Sequence, residues 1–336
     1  MEITAENSWS KKFRHAFAGS TVLGPLVVLI IILVLLSIFV PNFFSFRSIT
    51  GIINAITLTG TLAVGITMLM ISGEFDLSVG SIMAVGGYIY AALTMAHQTV
   101  LGFILALLIP ALLGLFNGLI LVWTGIPSFI VTLGTKYLYR GLLWLITAGT
   151  MLQTIEKLPI YNLFNGRLDI ANQFLPGANF RSSLLWLLLL VIFFQFILVR
   201  TRFGNHVFAV GGNRGAALGQ GVNVRFIKVM SFIITGTLAG FTGILLFSQF
   251  YTVRVASGDG LELSAIAAAV VGGTLITGGA GSIWGGLIGA LIISTLRTGV
   301  VLMDLPYIPA DNFEAIIGVT IIAAAILNNY LRGQTS

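Results

Sequence analysis

Long hydrophobic runs, separated by short clusters of charged residues, make up most of this chain. Residues 77–135 contain no Asp, Glu, Lys or Arg, and neither do 182–199, 229–253, 263–296 and 315–331. A soluble domain needs polar side chains over its surface, and about 25% of its residues are charged. A helix crosses the hydrocarbon core of a bilayer with about 20 apolar residues. The pattern therefore predicts a membrane protein with many transmembrane helices.

The hydrophobic runs predict about ten transmembrane helices, and the chain has room for about eight to ten. We expect an all-α, polytopic integral membrane protein in which residues 1–336 form a single transmembrane domain. Gly-rich stretches blur the second, third, eighth and ninth spans. The predicted spans lie near residues 22–40, 49–71, 81–96, 101–123, 128–148, 183–199, 229–249, 264–277, 282–302 and 314–331.

The positions of Lys and Arg predict the orientation of these spans. Residues 1–20 precede the first span and carry three bases, and residues 200–228, called the basic loop below, carry five bases and no acid. Short loops rich in Lys and Arg stay in the cytoplasm. With ten spans, the N-terminal segment, the basic loop and the C-terminus all fall on that side. The opposite side then receives the loops at 149–182, 250–263 and 303–313.

Composition agrees with this prediction. Hydrophobic residues make up 57% of the chain and charged residues 8%, and the 40 glycines suit helices that pack closely in lipid. The chain has no cysteine, which excludes disulfides and thiolate metal sites. His15, His97 and His206 are too scattered for a metal site, so we expect none. The net charge of +6 lies in loops, where topology explains it, so the expected surroundings are lipid and not nucleic acid.

Two carboxylates stand between long apolar runs in the sequence Gly-Glu-Phe-Asp-Leu-Ser-Val-Gly-Ser, from Gly73 to Ser81. Irregular backbone at membrane depth is tolerated only inside protein or beside a water-filled cavity. Acids within a membrane are functional candidates. One interpretation places Glu74, Asp76 and Ser78 in the wall of a translocation path. The other is a short loop at the membrane face, in which Asp76 and Ser78 cap the next helix.

Further polar residues interrupt the apolar sequence that follows. Lys136 and Arg140 are four residues apart, so they share one face of a helix that Pro127 is expected to open. Intramembrane bases usually face a cavity or a partner acid. The alternative is that their side chains snorkel to the interface. We add Asn117, Thr132 and Arg140 to the predicted path, because a polar solute would need polar wall groups.

The basic loop contains a second motif, Gly-Gly-Asn-Arg-Gly-Ala-Ala-Leu-Gly-Gln-Gly-Val-Asn-Val, from Gly211 to Val224. Asn213 is a good N-cap and Gly219 a good stop, which predicts a short helix from Asn213 to Leu218. A helix lying flat on the cytoplasmic face is suited to insert into a groove of a partner protein. Alternatively, the bases only set the topology.

The Gly-rich stretch at 267–289 does not have the spacing of a phosphate-binding loop, and we interpret it as a place of tight helix packing. The whole chain lacks Gly-x-x-x-x-Gly-Lys-Ser/Thr, so it does not bind ATP by that route.

In their order along the chain, these motifs resemble those of the permease subunits of sugar-type ABC importers, the family of the ribose, galactose, arabinose and autoinducer-2 permeases. Ser72 to Ser81 is similar to the family hallmark Gly-Gly-x-Asp-Leu-Ser-Val-Gly-Ser, with Ser-Gly-Glu in place of the commoner Gly-Gly. The basic loop resembles the family's coupling segment. It departs from that segment at Arg214, where many members carry Glu.

The resemblance implies the membrane-spanning subunit of an ATP-driven, binding-protein-dependent importer of a small sugar, with a type II importer-like fold in the bacterial inner membrane. Two permease subunits would line the path and work by alternating access, and an extracytoplasmic binding protein would deliver the sugar. ATP and Mg²⁺ would bind to a separate ATPase subunit, so this chain would hold no cofactor and would not be an enzyme. The residues implied in coupling to the ATPase are Arg202, Asn213, Arg214, Ala216, Ala217 and Gly221.

Two alternatives stay open. The branched-chain amino-acid ABC permeases share the expected architecture. An ion-coupled secondary transporter would use Glu74 and Asp76 as proton or sodium sites, and an uncoupler would then abolish uptake while ATP remains. That second alternative gives the basic loop no role.

Overall fold

The computed structural model describes residues 22–303, together with residues 315, 318–320 and 322. Helices dominate this part of the chain, and two strands of two residues each accompany them. The helices are α1 (Leu23–Phe39), α2 (Phe46–Ile71), α3 (Val79–Met95), α4 (Thr99–Thr124), α5 (Ser128–Thr147), α6 (Pro159–Asn165), α7 (Asp169–Phe174), α8 (Ser183–Arg200), α9 (Arg202–Gly212), α10 (Arg214–Gly219), α11 (Val224–Phe250), α12 (Leu261–Val271) and α13 (Ile283–Met303), and the strands are β1 (Leu152–Gln153) and β2 (Thr252–Val253).

Five of the described helices are long and apolar enough to cross a membrane, namely α2, α4, α8, α11 and α13. Three shorter helices, α1, α3 and α12, are also apolar. Helix α5 has 20 residues and includes Lys136 and Arg140, which make it more polar than the others. These helices agree with the predicted polytopic membrane protein, while the number of crossings stays a prediction.

Nine of the ten predicted spans coincide with a helix, and their boundaries differ most at the eighth. That span was predicted at 264–277, but α12 ends at Val271. Gly272 forms the C-cap, and Gly273 has a φ of +88°, a conformation that commonly terminates helices. The tenth span falls almost entirely outside the described residues, and the N-terminal segment 1–20 lies wholly outside them.

Helices α2 and α11 form the centre of the bundle, and α11 packs along α2, α3 and α4. Close approach between α4 and α11 depends on glycine. A Cβ atom at Gly236 would overlap the carbonyl oxygen of Pro110, and one at Gly114 would overlap that of Phe232. Small residues let membrane helices approach to backbone contact, as the glycine content predicts.

One end of the bundle carries the two short strands. Leu152 pairs with Val253 in antiparallel register, so the connections at 149–182 and 250–263 share this end. That placement agrees with the predicted topology, although the strands themselves were not predicted by an all-α fold. An aromatic cluster packs the short helix α6 against α3, α8 and α11 and consists of Tyr90, Tyr161, Phe164, Trp186, Phe241 and Phe247.

The basic loop lies at the other end and folds into two helices. The predicted short helix is confirmed as α10, and Asn213 Oδ1 caps it by accepting from Ala216 N at 3.0 Å. Helix α9 was not predicted. Thr201 caps it by accepting from Gly204 N at 3.2 Å, and Val207 and Val210 are buried on its inner face. The basic loop is therefore a folded unit and not an irregular connection.

Candidate functional site

Residues 72–78 connect α2 to α3 by an irregular segment packed inside the bundle. Two of its backbone N–H groups, which no helix satisfies, donate to side chains at the start of α5. Phe75 N donates to Ser128 Oγ at 3.1 Å, and Leu77 N donates to Thr132 Oγ1 at 3.1 Å. Since buried backbone groups need partners, these two hydroxyls hold the segment against α5.

Asp76 lies at the centre of this segment and is fully buried. Its Oδ1 accepts from Ser78 N at 2.7 Å and from Ser78 Oγ at 2.6 Å. Asn117 Nδ2 donates to Ser78 Oγ at 2.8 Å and lies 3.5 Å from Asp76 Oδ2. The hydroxyl of Tyr139 donates to Asn117 Oδ1 at 2.8 Å. We call Asp76, Ser78, Asn117, Thr132 and Tyr139 the polar network.

The structure therefore gathers four of the predicted path residues into one buried group. Ser78 is the N-cap residue of α3, but its side chain accepts no capping hydrogen bond and donates to Asp76 instead. The capping interpretation is therefore wrong for Ser78.

Glu74, a fifth predicted path residue, lies apart from the polar network. Its carboxylate forms an ion pair with Lys228 near the start of α11, and the two side chains are 8% and 15% exposed. A buried carboxylate needs a partner charge, and Lys228 supplies it.

Arg140 is the sixth predicted path residue. Arg140 and Lys136 each pair with one acid from the residues that follow β2. Lys136 Nζ lies 2.5 Å from Glu262 Oε1, and Arg140 Nη1 lies 2.8 Å from Asp259 Oδ2. Arg140 also donates to the Val255 carbonyl oxygen at 2.8 Å. Partial burial raises the pKa of the Asp259 carboxyl, and the guanidinium of Arg140 opposes that shift. The partner-acid interpretation of the two bases is confirmed, and snorkelling is wrong.

These ion pairs form because the connection after β2 folds back into the bundle. The backbone of Gly258 contacts Gly80, where a Cβ atom would overlap the Gly258 carbonyl oxygen. Helix α12 therefore begins beside the first turn of α3. The prediction had placed residues 250–263 in a loop at the end of the bundle. The structure instead buries Glu262 in the bundle, while Asp259 stays half-exposed at its edge.

The two ion pairs differ in burial, and we expect them to differ in strength. Glu262→Gln should lower the free energy of unfolding by about 3 kcal/mol, because it leaves Lys136 with a largely buried, unpaired charge. Asp259→Asn is the matched control and should cost at most about 1 kcal/mol, since the Asp259 side chain is 53% exposed. Thermal unfolding of both variants in detergent measures this. Equal midpoints would contradict the assignment of the Glu262 pair as the stronger one.

Several residues of the site were not predicted: Ser128, Tyr139, Lys228, Asp259 and Glu262. Tyr139 had a usable signal, since it follows Thr132 by seven residues and so shares its helix face. Lys228 looked like one more base of the basic loop. Nothing in the spacing connects it with Glu74, which is 154 residues away.

The predicted coupling residues lie together on the basic loop. Ala217 is buried at 3% exposure and packs into the core, so it anchors α10 from the inner side. Two apolar side chains, Leu218 and Phe226, are more than half exposed nearby. The exposed coupling residues are Arg202, Asn213, Arg214, Ala216 and Gly221. This surface combines bases with protruding apolar groups, as a docking surface for a protein does.

Comparison with known proteins agrees with this architecture. Residues 48–325 match the family model described as branched-chain amino acid transport system / permease component. The chain is 34% identical over 283 residues to the autoinducer 2 import system permease protein LsrC of Yersinia pseudotuberculosis serotype O:3 (strain YPIII), covering 84% of this chain and 78% of that protein.

A second relative matches more of the chain. The L-arabinose ABC transporter permease protein AraH of Azospirillum brasilense is 33% identical over 316 residues, which cover 93% of this chain and 88% of that protein. No solved structure matches the chain significantly. The family model covers well over half of the sequence, and these relatives are permeases over most of their length. The chain therefore belongs to the branched-chain amino acid transport system / permease component family of transporter membrane subunits.

Proposed function

We propose that this chain is the membrane subunit of an ATP-driven importer of a small sugar in the bacterial inner membrane, with a type II importer-like fold and cytoplasmic termini. ATP and Mg²⁺ bind to a separate ATPase subunit that docks on the basic loop. An extracytoplasmic binding protein delivers the sugar, and a second permease subunit completes the path. The two relatives are named for the import of autoinducer 2 and for the transport of L-arabinose. Their names support a polyhydroxylated substrate for this chain.

The polar network is the observation that carries the substrate class. Ser78, Asn117, Thr132 and Tyr139 offer hydroxyl and amide groups, which suit the neutral hydroxyls of a sugar. A branched-chain amino acid, the second candidate, carries an ammonium and a carboxylate and would need charged partners. The network itself offers one charged group, the carboxylate of Asp76, and the two bases of α5, Lys136 and Arg140, are already paired with acids.

Asp76 and its neighbours in the polar network are buried in this structure, which we interpret as a closed path. We infer that helices α3, α4 and α5 separate during transport, so that the network faces water on one side at a time. Arg140 is bound to the connection after β2, at the end of the bundle opposite the basic loop.

Reconstitution tests the proposal directly. The chain, its ATPase and its binding protein are placed in proteoliposomes and offered radiolabelled L-arabinose, D-ribose, D-galactose and leucine. We expect ATP-dependent accumulation of one of the sugars, and no effect of an uncoupler. Leu218→Asp should abolish this uptake by breaking the apolar contact with the ATPase, while Leu218→Met, the matched control, should retain it. Uphill uptake on an ion gradient without the ATPase would instead favour the ion-coupled transporter, and accumulation of leucine the amino-acid permease.

A further inference from the structure

The ion pair between Glu74 and Lys228 connects two parts of the chain with different proposed roles. Lys228 stands in the first turns of α11, at the end of the basic loop, and Glu74 stands two residues before Asp76. The two side chains are 8% and 15% exposed. Burial removes most of the water around both charges, and only a close ion pair offsets that desolvation cost. The pair therefore ties residues 72–78 to the basic loop.

Backbone contacts also seat the basic loop on the end of α2, beside the connection from α12 to α13. Gly279 N donates to the carbonyl oxygen of Ile71 at 2.9 Å. Gly211, near the end of α9, packs against both residues, and a Cβ atom there would overlap the Ile71 carbonyl oxygen. The end of α2 is thus held between α9 and the connection from α12 to α13. A displacement of the basic loop would move Ile71 and Glu74 together.

On its other side, the 72–78 segment is bound to the polar network. Leu77 N donates to Thr132, and Asp76 accepts two hydrogen bonds from Ser78. Only Phe75 separates Glu74 from Asp76, and its own N–H donates to Ser128. The segment therefore forms a continuous chain of contacts from the basic loop to the network, and contacts of this kind can carry energetic coupling between two sites.

We propose that Glu74 and Lys228 are positioning residues that transmit displacements of the basic loop to the polar network. Glu74 thus serves in coupling and does not form part of the path wall. This inference rests on the proposed function, because the displacement originates in an ATPase bound to the basic loop. A glutamine at position 74 has the size of glutamate without its charge, so it removes the ion pair with Lys228, leaves at most a neutral hydrogen bond, and preserves the packing.

The test compares Glu74→Gln, Lys228→Met and the exchanged pair Glu74→Lys/Lys228→Glu in the complete reconstituted complex. Three quantities are measured: the amount of assembled complex, the rate of ATP hydrolysis, and the uptake of the labelled sugar that the wild-type complex accumulates. Both single variants should assemble and hydrolyse ATP. Sugar taken up per ATP hydrolysed should fall at least about fivefold, within the usual range of coupling between sites. The exchanged pair should recover most of it.

The matched control is Asp169→Asn, which removes the carboxylate of an exposed ion pair with Arg167 and should leave the ratio unchanged. An unchanged ratio in Glu74→Gln would overturn the inference. So would a loss of uptake that follows the amount of assembled complex, because that is the result of a merely structural pair. An exchanged pair no better than the single variants would also count against it. Failure of the proposed function would differ from all of these, since the wild-type complex itself would show no ATP-driven uptake.

Discussion

Replacing Gly211 by alanine is expected to detach the basic loop from the membrane helices and to prevent stable assembly with the ATPase. A methyl group at this position would overlap the carbonyl oxygen of Ile71 and lie 2.7 Å from Gly279 N. Both are backbone atoms, which cannot rotate away as a flexible side chain can. Overpacking of this kind should cost at least about 3 kcal/mol, the upper part of the usual range.

The measurement is the fraction of the chain that copurifies with the ATPase, together with the thermal midpoint of the chain alone. Gly219→Ala is the matched control, since a Cβ atom there meets nothing within 4 Å. It should behave as the wild type does in both measurements. A Gly211→Ala variant that assembles and unfolds like Gly219→Ala would show that α9 is not seated on the end of α2.

Replacing Asp76 by alanine is expected to reduce sugar uptake by about tenfold or more while the complex still assembles. The change leaves the N–H and hydroxyl of Ser78 without their acceptor, and each buried unsatisfied group costs about 1–3 kcal/mol. Ser78 and Asn117 should then rearrange, because both hydrogen-bond around the carboxylate. The bundle itself should survive, since α2 and α3 keep their apolar contacts.

Uptake in proteoliposomes measures transport, and copurification with the ATPase measures assembly of the complex. Asp76→Asn should retain more uptake than Asp76→Ala, because the amide oxygen can still accept from Ser78. Asp169→Ala, at an exposed carboxylate, should transport normally. If Asp76→Ala transports like the wild type, the motif around it has only a structural role.

Most helices of the bundle could be predicted from local sequence. The ninth predicted span, 282–302, corresponds to α13 at Ile283–Met303, and the fourth, 101–123, to α4 at Thr99–Thr124. A run of apolar residues has to cross the bilayer or be buried wherever it occurs, so its length and ends are local properties. Short signals such as the Asn213 cap are local in the same way, and α10 was therefore predicted. Helix α9 was missed because three glycines and the polar pair Asn205 and His206 interrupt its short apolar pattern.

Both the sequence and the tertiary structure were needed to identify the chemical groups of the site. Sequence identified Asp76, Ser78, Asn117 and Thr132 as unusual polar residues in apolar surroundings, since each would be costly in lipid without a partner. It could not tell which partner each residue has. Ser128 belongs to the site because α5 packs against the 72–78 segment. Tyr139 belongs to it because its hydroxyl reaches Asn117 of α4.

Sequence by itself determined that this chain is a membrane protein, roughly where its helices begin and end, and which polar residues interrupt its apolar runs. Tertiary structure alone decided that Glu74 pairs with Lys228 and Lys136 with Glu262, across 154 and 126 residues. The physical reason is that hydrophobic length and helix caps act between near neighbours in the chain. Ion pairs form between charged side chains that helix packing brings within about 4 Å of each other. The separation of two residues along the sequence does not determine that distance.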